Sequence, residues 1–134
     1  MQTSDYPYTA RDQTCKFNKA KAVAQVAGYT DIPQNNCAQL TTAIQQQPVS
    51  VAIAANAIMM YSGGVFDNPS CGTGLNHGVA AVGFGTDNGK NFWIVRNSWS
   101  SSWGEQGYIR MSRDVQTNTG ICGICMASSY PKSG

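Results

Sequence analysis

Charge is what this sequence has least of. Only 12% of its 134 residues are charged, nine Lys and Arg against seven Asp and Glu, which is about half the usual share. A formal net charge of +2 is too small to mark a nucleic-acid partner or an electrostatic membrane anchor. The basic residues are scattered, and their one cluster, Lys16, Lys19 and Lys21, reads as a solvated face. No apolar run approaches the roughly 18 residues of a transmembrane helix, so no membrane partner is expected. Met1 to Tyr8 include Asp5 and Pro7 and have no apolar core, which reads against a signal peptide. Internal repeats and low-complexity tracts are lacking, and His77 is the only histidine. A metal site is not expected either. Cys122-Gly-Ile-Cys125 has zinc-knuckle spacing, but no second such pair exists and His77 is distant in sequence. The same motif neither follows a βα turn nor opens a clear helix, which weakens a redox reading. No cofactor is implied.

What remains is a neutral, polar, globular composition. Hydrophobic residues make up 42%, enough for about one ordinary domain with its own core. Gln, Asn, Ser and Thr take the place of charge. The five cysteines, at 15, 37, 71, 122 and 125, are odd in number, so at least one is unpaired within the chain. A disulfide-bearing secreted or lysosomal context fits this usage.

Residues 1 to 20 have turn composition, with Tyr6, Tyr8 and Phe17 as aromatic anchors. Val23 to Tyr29 reads as a short strand. Asn35-Asn36 can cap a helix over Cys37 to Gln47, where Leu40 and Ile44 share a face and Pro48 stops the helix. Val49 to Ala54 reads as a buried strand. His77 to Phe84 and Asn91 to Asn97 are β-branched apolar runs flanking Asp87-Asn88-Gly89, a hairpin signal. Gly107 to Met111 and Ser128 to Tyr130 complete a set of five or six strands. The expected class is α+β, one main helix with a mostly antiparallel sheet.

A lone histidine is more often structural than catalytic, but the neighbourhood of His77 shifts those odds. Asn76-His77-Gly78 opens an apolar strand, so the imidazole can face a cleft from a rigid mount, with open space beside it. Asn97 sits at the end of the other hairpin strand, and its amide oxygen can fix the tautomer of a histidine base. Trp99 can keep water from that hydrogen bond. Register tests the pairing. If Asn88-Gly89 is a two-residue turn with 87 opposite 90, residue 97 faces 80 and His77 points to the opposite side. A three- or five-residue loop, or one bulge, changes the parity. With 85 opposite 91, residue 97 faces 79 and residue 77 is its diagonal neighbour, roughly 7–8 Å away. The catalytic reading therefore expects an odd-length loop or a bulge between Gly85 and Asn91.

Leu75-Asn76-His77-Gly78-Val79 resembles the histidine motif of papain-family, cathepsin L-like cysteine proteases. Trp93-Ile94-Val95-Arg96-Asn97-Ser98-Trp99, followed by Trp103-Gly104-Glu105 and Gly107-Tyr108-Ile109-Arg110, resembles their asparagine motif. Tyr6-Pro7-Tyr8, Gln47-Pro48-Val49-Ser50-Val51, Tyr61-Ser62-Gly63-Gly64-Val65-Phe66, Gly120-Ile121-Cys122-Gly123 and Ser129-Tyr130-Pro131 match in the family's order. The resemblance spans essentially the whole chain.

It implies the right-hand, β-rich, barrel-like domain of the papain fold over 21–134, with an interdomain crossing segment over 1–20. In such proteases the nucleophilic cysteine lies about 130–150 residues before the histidine, whereas 76 residues precede His77. The resemblance therefore places the nucleophile in a left, helical domain upstream of Met1 and implies an isolated chain without peptidase activity. It implies that His77 is the base, that Asn97 orients it, and that Trp99 shields the pair. Trp103 is implied on the leaving-group side of a peptide or protein substrate. Ala52, Leu75, Gly78 and Ala127 are implied in the main specificity pocket, suited to an apolar or aromatic residue. Cys71 and Cys122 match a family disulfide, and Cys15 matches a half-cystine whose partner is in the left domain. Cys37 and Cys125 have no counterpart; they either pair or stay buried thiols, and buried thiols are the favoured expectation. Two departures stand out: Ser100 where glycine is usual, and Asn76 where Asp is more common. The compartment implied is lysosomal, vacuolar or secreted. The alternative is a non-catalytic, pseudoprotease-type module whose cleft binds peptide without cutting it.

Overall fold

The computed structural model describes residues 1–133. They divide into two compact units, Met1–Tyr29 with the residues from Pro131 onward, and Thr30–Tyr130. The first unit is largely irregular. It contains one 3-10 turn, Lys19–Lys21, capped by the Asn18 side chain, which accepts from Ala20 N. Tyr6 Oη accepts from Lys16 N at 3.1 Å, and Lys21 pairs with Asp5 at 2.9 Å. The aromatic anchors expected here are not buried: Tyr6, Tyr8 and Phe17 are all exposed. Cys15 is an exposed free thiol.

The second unit carries most of the sheet. The strands of the chain are β1 (Val26–Ile32), β2 (Val49–Ile53), β3 (Val65–Phe66), β4 (His77–Asp87), β5 (Lys90–Arg96), β6 (Tyr108–Ser112) and β7 (Ser128–Ser133), in the spatial order β1-β7-β2-β4-β5-β6-β3; β2 to β6 lie wholly within the second unit. The α+β class holds. The sheet is open, not barrel-like in the sense of a closed cylinder. It is also mixed, because the short β3 pairs parallel to β6. β3 escaped sequence reading because two residues carry no periodicity. β1 begins and ends three residues later than expected, since Ile32 is buried whereas Val23 is exposed.

Helix α1 (Cys37–Ile44) starts where the sequence places it. Asn36 caps it, its side chain accepting from Gln39 N at 3.0 Å. It buries Leu40 and Ile44 and stops short of Gln47, because Gln46 and Gln47 both turn back onto the Ala43 carbonyl ahead of Pro48. In β2, Val49, Val51 and Ile53 face the core while Ser50 and Ala52 take the other face. These residues pack with Trp93, Val95, Ile109, Met111 and Ile124.

Two disulfides staple this core: Cys71–Cys122 and Cys37–Cys125, each with Cα atoms 5.2 Å apart. The second corrects the expectation of buried thiols. Asn35 N donates to Cys125 O at 2.8 Å, which brings the start of α1 against the segment before β7. Sequence spacing alone could not show that approach.

Candidate active site

The hairpin decides where His77 points. Asn88 and Gly89 both adopt positive φ, 48° and 76°, as a two-residue I′ turn requires. Asp87 faces Lys90, and the even register runs back to Gly83 opposite Ile94. There the ladder slips: Ala81 faces Val95 and Ala80 faces Arg96, leaving Val82 as a bulge. The parity change expected between Gly85 and Asn91 thus occurs further along, at Val82. Beyond it His77 and Asn97 fall on one face, continuing the row of Ala81 and Val95 to where the core ends.

There His77 Nε2 lies 2.8 Å from Asn97 Oδ1. Ser98 N donates to the same Oδ1 at 2.8 Å. A backbone N–H can only donate, so the amide atom it meets is oxygen, and Nε2 must carry the imidazole proton. In the neutral ring Nδ1 is then the acceptor. His77 and Asn97 are half-buried. The Trp99 ring stacks on the imidazole, with centroids 4.8 Å apart and planes 25° from parallel. Trp103 meets Trp99 edge-on at 5.3 Å, and its indole N–H donates to Met59 O at 3.2 Å. Asn97 Nδ2 is buried with no partner among the described residues. Such an orphan costs about 1–3 kcal/mol, so the amide is held by its oxygen alone.

The loop joining β5 to β6 presents these tryptophans. Asn97 N donates to Gly107 O at 3.0 Å and Gly107 N to Trp103 O at 2.8 Å. Ser100 keeps the left-handed conformation that glycine would favour, at φ 76°. Ser102 N donates to its hydroxyl at 3.3 Å. Gly104 has no substitute: a Cβ there would lie 2.6 Å from Tyr108 O.

Ala52 and Gly78 face one another in register, on the opposite side of the sheet from the imidazole. With Ala127, Ser50, Ala80 and Ser129 they line an open depression of about 670 Å³. Leu75 does not line it. The Leu75 side chain packs instead toward Gly123. Asn76 turns into the 53–56 segment: its Oδ1 accepts from Ala55 N at 2.9 Å and its Nδ2 donates to Asn56 Oδ1 at 3.0 Å. Among the described residues, no group of three or more His, Cys, Asp or Glu is placed to hold a metal, and no helix is long and apolar enough to cross a membrane.

Sequence reasoning missed the support beneath the tryptophans. Tyr61 lies 5.5 Å from Trp103, and Glu105 and Arg110 form a bidentate ion pair beside it. The Trp103-Gly104-Glu105 run was visible in the sequence, but nothing in it says that Glu105 folds back onto Gly64.

The sequence profile described as papain family cysteine protease matches residues 1–132, and the chain belongs to that family. Oryzain beta chain of Oryza sativa subsp. japonica is 54% identical over 134 residues, covering 97% of this chain and 28% of that protein. Probable cysteine protease RD21B of Arabidopsis thaliana is 53% identical over 131 residues, covering 96% and 28%. Among solved structures, bromelain from Ananas comosus in complex with the E64 inhibitor superposes with a TM-score of 0.90 at 49% identity, over 98% of this chain and 62% of that one. Digestive procathepsin L 3 of the Tenebrio molitor larval midgut gives 0.89 at 44% identity, over 98% and 43%. The chain thus spans under a third of the length of these two curated relatives.

Proposed function

We propose that this chain is the C-terminal, β-rich part of a papain-like cysteine endopeptidase, in which His77 is the general base and Asn97 orients it. The observation that carries the reading is the shared acceptor Asn97 Oδ1, which takes both Ser98 N–H and His77 Nε2–H and so leaves Nδ1 free to accept a proton. The nucleophile comes from a helical domain that precedes this chain. Four of the five cysteines are tied in disulfides, and Cys15 stands in no Cys-Gly-Ser-Cys-Trp-like motif. Cys15 takes a half-cystine of that helical domain as its partner. Residues 1–20 serve as the crossing segment and 21–134 as the β-rich domain.

In the complete enzyme, His77 Nδ1 takes the thiol proton, giving a thiolate–imidazolium pair. The thiolate attacks the peptide carbonyl carbon, the C–N bond breaks, and the amine leaves with the proton from Nδ1. Water, deprotonated by the same nitrogen, then cleaves the thioester. Trp99 keeps solvent from the His77–Asn97 bond, and Trp103 flanks the leaving group. Ala52, Gly78 and Ala127 line part of the pocket for an apolar or aromatic substrate residue, and family resemblance adds Leu75. Asn76 brings no charge there. Two disulfides fit an oxidising setting, lysosomal, vacuolar or secreted.

The test is a fluorogenic peptide with an apolar or aromatic second residue, with and without a cysteine-directed epoxide inhibitor. The chain alone should not hydrolyse it, and the chain joined to the helical domain should do so in an inhibitor-sensitive way. Inhibitor-sensitive turnover by the chain alone would make one of its own cysteines the nucleophile and refute the division.

A further inference from the structure

We propose that Glu105 is a positioning residue: its carboxylate, clamped by Arg110, sets the stack of tryptophans that covers His77. This rests on the reading of His77 as the base.

Glu105 accepts from two directions. Gly64 N donates to Oε1 at 2.8 Å. Arg110 donates in the forked manner, Nη2 to Oε1 at 2.8 Å and Nε to Oε2 at 2.9 Å. Isolated exposed ion pairs contribute little, but a bidentate arginine within a network holds geometry. Arg110 sits on β6 and also pairs with Asp87 at 2.9 Å through Nη1, a nitrogen that the Glu105 fork does not use.

The two segments that Glu105 joins are those that build the aromatic stack. On one side, Tyr61 Oη donates to Gly64 O at 2.5 Å, so the Gly64 contact also locates the Tyr61 ring. On the other, Glu105 N donates to Tyr108 O at 2.9 Å and Tyr108 N to Glu105 O at 3.1 Å, closing the turn around Gly107. The Gly107 carbonyl accepts Asn97 N. From Tyr61 the rings step to Trp103 at 5.5 Å, to Trp99 at 5.3 Å and to His77 at 4.8 Å. One carboxylate therefore registers the floor of the stack against the strand end that carries Asn97.

The single histidine makes this measurable in the chain itself. Trp99→Ala gives the His77 Cε1–H resonance of an uncovered imidazole, and wild type gives the covered one. Glu105→Gln should move the resonance from the wild-type position toward that of Trp99→Ala. Asp87→Asn, which removes an ion pair of Arg110 but leaves the clamp on Glu105, should leave it in place. A Glu105→Gln chain with a lowered melting temperature and a wild-type His77 resonance would show a purely structural residue and overturn the proposal. If Glu105→Gln fails to fold, Arg110→Lys, which keeps the charge and loses the fork, is read in the same way. In the complete catalytic domain, Glu105→Gln should lower kcat by about 10- to 100-fold with little change in KM. An inactive wild-type domain would count against the peptidase reading alone, because the imidazole resonance reports the positioning without turnover.

Discussion

Removing the Cys37–Cys125 bridge probes how the start of α1 and the segment before Ala127 are held together. The two bridges are nested, with 88 residues of separation enclosing 51. While Cys71–Cys122 stays closed, the unfolded chain bypasses most of the larger loop. The effective loop is then about 38 residues, the path from Cys37 to Cys71 and the short step from Cys122 to Cys125. Chain-entropy reasoning gives about 4 kcal/mol for a loop of that size. Cys37→Ala with Cys125→Ala avoids burying a hydroxyl at position 125, which is 2% exposed. Urea unfolding should show a stability lower by about 4 kcal/mol with the midpoint moved accordingly. The thermal midpoint should fall by about 14 °C for a chain of this length. A loss under about 1 kcal/mol would mean that the unfolded state is already restrained elsewhere, or that the two cysteines do not pair, and the reasoning would fail.

Ser100→Gly relieves a left-handed residue at φ 76°. The relief, about 1–2 kcal/mol, is offset by the freedom glycine gains when unfolded, so a net rise of about 0.5 kcal/mol is expected; a lower melting temperature would show that the Ser100–Ser102 contact outweighs the strain. Acid should loosen the loop around the tryptophans. The Arg110 side chain, with Gly64 N, holds the Glu105 carboxyl below its ordinary range. Its stabilisation is complete above the unfolded value of about 4.3 and is lost as pH falls through the lower folded value. Melting curves should therefore show an acid-side fall that Glu105→Gln flattens, and an identical pH dependence in the variant would contradict this.

How far the sequence could be read depended on where the information lay. Periodicity and caps are local, so α1 and the central strands were legible, as was the Asn36 cap. The Asn88-Gly89 turn was also legible, but its even register sent His77 to the wrong face unless something restored the parity. Gly83 beside Val82 is a bulge signal, but Gly78 and Gly85 in the same strand carry it equally, so its place came only from the paired strand. The histidine, the asparagine and the tryptophans were legible because each sits in an extended motif. The Cys37–Cys125 pair was not, since it depends on the Asn35–Cys125 approach. Leu75 was expected beside Ala52 and Gly78, yet Gly123, having no side chain, gives it a nearer place to pack. Leu75 precedes β4, where strand alternation does not fix direction.

The most direct test of the account is His77→Ala in the complete catalytic domain, with the nucleophile present and the same fluorogenic peptide. Loss of the base should lower kcat by at least about 10²–10⁴-fold, while circular dichroism and the melting temperature show the fold intact and KM changes little. A His77→Ala enzyme that keeps near-wild-type turnover would return His77 to a structural histidine at the end of β4, and the active-site assignment would fall with it.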